Sequence, residues 1–186
     1  LPDADGIEAA IRGADDRAPF HQHIGVVLHT LGEHDAARAA FQRAVTIDST
    51  DADCWNNYGN LLQDMRKIDE ALDCHSRAVD LAPGNFLMYY NHGIVLEKLG
   101  RFDEALANYH VSVNLAPNFF AGWNSIGEIH RRAGRTNEAI EAYQKALAIR
   151  PDYPEALNNL GIAYKVKWML PEAQAISELS FTLEDE

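Results

Sequence analysis

A period of 34 residues runs through almost the whole chain. Glycine, alanine and proline each recur at this spacing, and aromatic residues accompany them. The glycines are Gly25, Gly59, Gly93, Gly127 and Gly161, the alanines are Ala37, Ala71, Ala105, Ala139 and Ala173, and the prolines are Pro83, Pro117 and Pro151. Such repetition is typical of proteins in which one small unit stacks on the next, because each unit buries its apolar side against its neighbour. The period therefore predicts an array of similar units.

Each unit carries two stretches of helical periodicity. In the second unit, Trp55, Tyr58 and Leu62 fall on one face of a first helix, and Ala71 and Ala78 fall on one face of a second helix. Apolar residues three or four positions apart indicate a helix with one buried side. We therefore expect a pair of helices in every unit.

The glycines have two predicted roles. A glycine inside a helix costs about 1 kcal/mol relative to alanine, so the recurrence of Gly59 and its counterparts calls for a packing reason. We expect that Gly59 and Ala71 let the two helices of a unit approach closely. Gly32, Gly100 and Gly134 fall where first helices should end, and glycine is common just after the end of a helix.

This pattern resembles the tetratricopeptide repeat. The fourth unit shows it with Trp123, Ile126, Gly127, Ala139, Tyr143, Ala146 and Pro151. The resemblance covers residues 18–186 as five repeats, 18–51, 52–85, 86–119, 120–153 and 154–186, and residues 1–17 look like a partial repeat or an N-terminal capping helix. It implies an all-α, right-handed solenoid of antiparallel helix pairs that binds other proteins and carries out no catalysis.

The fifth repeat is the least regular. Ser177 stands where earlier repeats have an aromatic residue, although Ala173 is kept. Pro171 and Glu172 stand where second helices begin, and both residue types suit the first turn of a helix. We therefore expect a second helix from Pro171. No polar capping helix follows, so either the chain is part of a longer protein or the acidic residues of this repeat serve as the cap.

Charge and hydropathy exclude several classes of partner. The net charge is −12 and the isoelectric point is near 5.0, whereas duplex nucleic acids and anionic membranes attract basic surfaces. No apolar run approaches the roughly 18 residues that span a bilayer. We therefore expect a protein or peptide partner, no nucleic acid and no membrane. Self-association through exposed repeat ends is a further possibility.

No catalytic or cofactor motif stands out. The sequence has no phosphate-binding loop, no dinucleotide-binding glycine motif and no zinc-protease motif, so we expect no cofactor. Asp69 and Glu70 open a second helix, where acidic groups favour the helix dipole, and are not expected to be catalytic. The eight histidines form no convergent set, so no metal site is expected. Cys54 and Cys74 are expected to be free thiols of a cytoplasmic protein. The alternative is a protein from which a signal peptide has been removed.

The first helix of the second repeat carries three asparagines on the side opposite its apolar face. These are Asn56, Asn57 and Asn60, within the stretch WNNYGNLL. The matching positions of later repeats complete the predicted peptide-binding residues, which are Tyr90, Asn91, Ile94, Asn124, Glu128, Asn158, Asn159 and Ile162. Arg131 adds a positive charge at one end of this row. A carboxamide donates and accepts at once, so a row of them suits the backbone of an extended peptide. In the alternative interpretation the amides are solvated or bridge adjacent repeats.

The amide row is partly similar to the asparagine ladder in the repeat domain of O-linked N-acetylglucosamine transferases. Asn57, Asn91 and Asn159 match that ladder, whereas His23 and Ser125 do not. The resemblance implies a peptide-binding groove on a scaffold or recruiter. An alternative is the substrate-recruiting region of a larger glycosyltransferase of that type.

A second binding mode of the family fits less well. Chaperone-tail-binding members hold a C-terminal carboxylate with Lys, Arg and Asn on successive first helices. Only Asn60 and Asn91 match that set, and Asn56, Ala121 and Ser125 stand at the basic positions. An acidic C-terminal tail is therefore not the expected ligand.

Overall fold

The structure, a computed structural model, describes residues 17–183, with side chains described through residue 168. Every regular element in this range is an α-helix, which confirms the predicted all-α fold. The helices are α1 (Ala18–Thr30), α2 (His34–Ile47), α3 (Ala52–Asp64), α4 (Ile68–Leu81), α5 (Phe86–Lys98), α6 (Phe102–Leu115), α7 (Phe120–Arg132), α8 (Thr136–Ile149) and α9 (Pro154–Leu183). Residues 1–16, nearly all of the predicted N-terminal segment 1–17, lie outside the described residues.

Helices of one repeat pack on each other. Turns of three residues join α1 to α2, α3 to α4 and α7 to α8, and each of these pairs is in contact. Helices joined by so short a turn run antiparallel. Asp69 and Glu70 lie in the first turn of α4, as predicted. The helix pairs are thus those that the 34-residue period predicted.

The described residues form two compact units, one that ends at Asn108 and one that begins at Tyr109. In the first unit, α2 also packs on α3, and α4 packs on α5. The apolar side of these helices is buried in a shared core, in which the rings of Phe41 and Tyr58 stack with centroids 5.9 Å apart. In the second unit, α8 packs on both α7 and α9, around the buried ring of Tyr143. Burial of side chains this large typically stabilises a fold by about 1.5–3 kcal/mol each.

The predicted close packing at glycine is confirmed in three repeats. A Cβ atom added to Gly59 would lie 2.6 Å from Nε2 of His75, and one added to Gly127 would lie 2.5 Å from the ring of Tyr143. At Gly25 the nearest ring atoms would be 3.0 Å away. Only a residue without a side chain allows the second helix to approach so closely.

The turns after the first helices require a left-handed backbone. Gly32, Gly100 and Gly134 have φ angles of +80°, +75° and +72°, as expected of glycine caps. Arg66 holds the same place in the second repeat with φ +60°. A left-handed conformation costs a residue with a side chain about 1–2 kcal/mol, and nothing in the sequence predicts it for Arg66.

The last repeat differs from the prediction. Instead of a helix pair with a second helix from Pro171, one helix, α9, runs from Pro154 to Leu183. The residue at the turn position is Trp168, and a large side chain disfavours the left-handed conformation that the turn needs. The helix therefore continues where the earlier repeats turn back. Ser177, at the aromatic position of this repeat, lies outside the described side chains.

Candidate functional site

The predicted site residues of the first unit lie on α3 and α5. We call the side of α1, α3 and α5 that bears Asn56 and its counterparts the first-helix face. Caps fix where two of these helices begin: the Asp51 carboxylate accepts from the Cys54 N–H at 3.0 Å, and the Asn85 side chain accepts from the Leu87 N–H at 3.1 Å. The site residues on both helices are half-buried, namely Asn56, Asn57, Asn60, Tyr90, Asn91 and Ile94.

Two pairs of asparagines bridge adjacent repeats. Nδ2 of Asn91 donates to Oδ1 of Asn56 at 2.8 Å in the first unit, and Nδ2 of Asn159 donates to Oδ1 of Asn124 at 3.2 Å in the second. The alternative of bridging amides thus describes these four residues. Each amide keeps further capacity, because the NH₂ group of Asn56 and the oxygen of Asn91 are the unused halves of their pair.

Asn57 and Asn60 behave differently from the paired asparagines. Both are half-buried, and neither has a hydrogen-bond partner among the described residues. A polar group near the surface without a protein partner must bind water or a ligand, because an unsatisfied amide is costly. These two amides are therefore available to a ligand.

Two further bridges join adjacent repeats at the ends of the first helices. Nε2 of His29 and Oδ2 of Asp64 lie 2.7 Å apart, and Nζ of Lys98 donates to Oε1 of Gln63 at 2.7 Å. Neither His29 nor Gln63 was among the predicted site residues. A pocket of about 620 Å³ opens beside these bridges and is lined by Gln63, Asp64, Arg66, Ile68 and Lys98.

A buried histidine lies behind this pocket. Nε2 of Gln63 and Nε2 of His75 are 3.0 Å apart, and because Oε1 of Gln63 accepts from Lys98, the Gln63 nitrogen is the donor. The His75 ring is fully buried, as expected of the aromatic position that it occupies. Burial, with smaller contributions from His92 and Lys98, lowers the pKa of His75 to about 4. The ring is therefore neutral at pH 7.

In the second unit, two predicted site residues bind each other. Nη2 of Arg131 donates to Oε1 of Glu128 at 2.6 Å, and Nε of Arg132 donates to the same oxygen at 3.0 Å. Burial alone would raise the pKa of the Glu128 carboxyl, but the hydrogen bonds from the two arginines hold it below its usual range. Asn158 and Ile162 are exposed on α9. Glu128 and Arg131 thus form an ion pair that a ligand would have to share.

Family models agree with the helix pairs. Models described as tetratricopeptide repeat match residues 18–51, 40–73 and 58–118, and a model described as TPR repeat matches residues 127–166. The chain is a tetratricopeptide repeat protein. With its helix pairs, the tetratricopeptide repeats give it the predicted all-α solenoid fold. No curated protein sequence matches the chain.

Several solved structures are similar to the chain. MamA (41-end) from Desulfovibrio magneticus RS-1 aligns with a TM-score of 0.76 and 20% identity over 89% of this chain and 94% of its own. YrrB, described as a TPR protein with an unusual peptide-binding site, aligns with a TM-score of 0.71 and 24% identity over 87% of this chain and 83% of its own. The first TPR of Spaghetti (RPAP3), bound to the HSP90 peptide SRMEEVD, aligns with a TM-score of 0.61 and 25% identity over 64% of this chain and 94% of its own. At these identities MamA and YrrB show the fold alone.

The thiols of this repeat protein are buried. Burial, with smaller contributions from nearby carboxylates, raises the pKa values of Cys54 and Cys74 to about 12, so neither thiol is reactive near neutral pH. Among residues 17–168, no three His, Cys, Asp or Glu side chains converge as metal ligands would. None of the described helices combines the length and the apolarity that crossing a membrane demands.

Proposed function

We propose that this chain is a protein-interaction module that holds an extended peptide segment on its first-helix face. The observation that carries the proposal is the pair of available amides, Asn57 and Asn60, next to the bridged pair Asn56 and Asn91. An extended peptide presents an N–H and a C=O at every residue, and both need partners when water is removed. Carboxamides supply both donor and acceptor.

The bridged pair favours one orientation of the ligand. Because Asn91 donates to Asn56, the NH₂ group of Asn56 and the oxygen of Asn91 are the atoms left to a ligand. A peptide carbonyl would therefore bind on the side of Asn56 and a peptide N–H on the side of Asn91. The amides contact backbone atoms, so they hold a chain without reading its side chains.

Apolar groups next to the amides supply the specificity. Ile94 is half-buried on α5, and Val26, at the register of Asn60 on α1, is 41% exposed. Burial of such groups by a ligand side chain contributes about 25 cal/mol for each Å² of apolar surface covered. The ligand is thus expected to carry apolar residues at intervals along its length.

Charge favours a neutral or basic ligand. The chain carries a net charge of −12, and Asp53 and Asp64 are exposed on α3. An acidic segment would meet repulsion on approach, whereas a basic one would be attracted. This expectation sets the chain apart from the RPAP3 repeat domain, whose bound peptide SRMEEVD is acidic.

The second unit offers a related set of groups. Asn124 and Asn159 form the same kind of bridged pair, and Asn158 and Ile162 are exposed beside it. We include these residues and the Glu128–Arg131 ion pair as contacts of the second unit. Peptide binding by YrrB and by the RPAP3 domain supports a peptide-binding function for this fold. Recruitment of substrates to an enzyme would use the same face and stays a prediction.

The test compares two double variants of the chain. A phage-displayed library of random peptides is selected on the wild-type chain, and the enriched peptides are synthesised with a fluorescent label. Their affinities are then measured by anisotropy with wild type and with Asn57→Ala/Asn60→Ala. Loss of two hydrogen bonds of about 0.5–1.5 kcal/mol each weakens binding by about 5-fold to 150-fold.

The control variant is Asn114→Ala/Asn137→Ala. Both asparagines are exposed, and they lie on the second helices α6 and α8. This pair removes two amides from the surface without touching the first-helix face, so affinity should not change. Equal affinity of all three proteins for every selected peptide, with unchanged circular dichroism, would refute the proposed site.

A further inference from the structure

The pocket beside Gln63 is positively charged, although the protein as a whole is acidic. Its volume is about 620 Å³, and the charged residues that line it are Asp64, Arg66 and Lys98. Two of these three are cations, whereas the whole chain has a net charge of −12. Ligand-binding pockets of proteins have volumes of about 300–1,000 Å³, so this one is large enough for a side chain of a bound peptide.

The acidic residue of the pocket already has a partner, whereas the two cations lack a carboxylate. Oδ2 of Asp64 lies 2.7 Å from Nε2 of His29. Nζ of Lys98 donates to the neutral side chain of Gln63 at 2.7 Å. No hydrogen bond or ion pair holds the guanidinium of Arg66 within the part of the chain that the structure describes. The pocket therefore has positive charge left for an anionic group.

Arg66 has a strained backbone at this pocket. Its φ angle is +60°, at the place where the first, third and fourth repeats have Gly32, Gly100 and Gly134. Glycine adopts the left-handed conformation without strain, so an arginine at this position lowers the stability of the fold. Residues in such conformations cluster at ligand-binding sites, where the strain has a functional reason. The one interruption of the glycine pattern among these four turns lies at the pocket, which favours a binding role for the guanidinium.

The pocket lies next to the available amides of the first-helix face. Gln63 and Asp64 follow Asn60 by three and four positions on α3, so they lie on the same side of the helix, one turn further on. One turn of a helix advances about 5.4 Å, a distance that two residues of an extended peptide span. A peptide held at Asn60 can therefore place a side chain in the pocket.

We propose that the pocket binds the carboxylate of one Asp or Glu side chain in the peptide held on the first-helix face. The guanidinium of Arg66 and the ammonium of Lys98 donate to the carboxylate oxygens, and the half-buried Ile68 contacts the methylene groups next to them. A ligand that is neutral or basic as a whole thus carries one acidic residue at this place. The inference rests on the proposed function and adds a side-chain preference, which the amides alone do not provide.

The first test compares peptides that differ in one residue. Peptides selected on wild type from the phage-displayed library are synthesised with an amidated C-terminus, and each is remade with Asn for Asp or Gln for Glu. Anisotropy at low ionic strength then measures both forms with wild type and with Arg66→Gln, which removes the charge and keeps a side chain at the strained position. An exposed ion pair contributes up to about 1 kcal/mol, so the preference for the acidic form should fall by about fivefold in the variant.

The matched control is Arg77→Gln. Arg77 is exposed on the second helix α4 of the same repeat and does not line the pocket. This control should keep the wild-type preference. Three results would overturn the proposal: an equal preference in wild type and Arg66→Gln, selected peptides without an acidic residue, or a preference that requires a free C-terminal carboxylate.

The amide variant Asn57→Ala/Asn60→Ala separates this proposal from the proposed function. It should weaken binding of the acidic and the neutral form equally and leave the preference between them unchanged. If Arg66→Gln reduced the preference and the amide variant had no effect, the result would refute the amide site and support the pocket. If the amide variant weakened binding and Arg66→Gln left the preference intact, the pocket alone would be refuted.

The second test uses Arg66→Gly, which introduces the residue that the other repeats have at this place. Glycine relieves the left-handed backbone and removes the guanidinium. The variant should therefore unfold at a higher urea concentration than wild type and lose about fivefold of the preference for the acidic form. A residue with a structural role alone would not combine a gain in stability with a loss of selectivity. A more stable variant with the full preference would overturn the proposal.

Discussion

Acidification from pH 7 to pH 5 should destabilise the chain, and the buried side chain of His75 should account for a large part of the loss. The pKa of this histidine is lowered to about 4, mainly by burial, whereas an unfolded chain has a histidine pKa of about 6.5. Between these values the unfolded chain binds a proton that the native chain does not bind. The free energy of unfolding therefore falls as the pH falls, by about 2 kcal/mol between pH 7 and pH 5 and by about 3 kcal/mol in all below pH 4.

The hydrogen-bond chain explains why His75 resists protonation. Gln63 donates to its Nε2 at 3.0 Å and itself accepts from Lys98, so a proton on Nε2 would face an N–H donor. Reversal of the Gln63 amide would place its NH₂ group against the Lys98 ammonium. Protonation of His75 thus breaks either one hydrogen bond or the other, in addition to placing a charge in the core.

The assay is urea unfolding of wild type and His75→Phe at pH 7 and at pH 5. Phe41 holds the same register in the first repeat, so a phenyl ring suits the position. The titrations of all other groups are shared by the two proteins, so the difference between their pH effects isolates His75. We expect the variant to lose about 2 kcal/mol less than wild type between the two pH values.

A matched control is Tyr143→Phe, at the same register of the fourth repeat. Burial raises the pKa of the Tyr143 hydroxyl above its usual range, so its removal takes away no group that titrates between pH 5 and pH 7. The control should keep the wild-type pH effect. If His75→Phe also lost as much stability as wild type between the two pH values, the argument from buried, neutral His75 would be refuted.

Three further predictions concern stability and reactivity. Gly127→Ala should destabilise the chain by more than about 1 kcal/mol, because the added Cβ would lie 2.5 Å from the ring of Tyr143. Gly161→Ala should stabilise the chain by about 1 kcal/mol, because the added Cβ meets nothing within 4 Å and alanine favours a helix. The urea midpoints of the two variants should move in opposite directions. Arg66→Gly should raise the free energy of unfolding, measured by urea titration, by about 1 kcal/mol, because glycine adopts the left-handed backbone at φ +60° without strain. Iodoacetamide at pH 8 should label Cys54 and Cys74 slowly in native protein and rapidly in urea, as mass spectrometry would show; rapid native labelling would contradict their burial.

Much of the fold was predictable because the period reports helix packing directly. The first helices begin at residues 18, 52, 86, 120 and 154, in the same step as the recurrent glycines. The last repeat was harder to predict, because two local signals disagree. Pro171 favours the start of a helix, whereas Trp168 disfavours the turn that must precede it, and α9 continues.

The candidate site was predictable in composition and not in pairing. Alignment of the repeats at 34 residues placed Asn57 with Asn91, whereas the hydrogen bond joins Asn91 to Asn56. The offset arises because stacked helices bring a residue opposite the next position of the neighbouring repeat, which a repeat alignment does not contain. A search for polar residues 35 positions apart would have found this bond and the one between His29 and Asp64.

The bridges between adjacent repeats also record the order of the repeats. The small residues of the core recur at the same positions in the first four repeats, so they place few limits on the order of the repeats. The bridges, in contrast, use different residues in each pair of repeats. Deletion of residues 52–85 would bring Lys98 to the place of Asp64, opposite His29. The same deletion would remove Gln63 and its hydrogen bond to Lys98. An array with a repeat lost or exchanged would thus keep its helices and lose its polar matches. The polar bridges thus give each of these similar repeats a preferred neighbour.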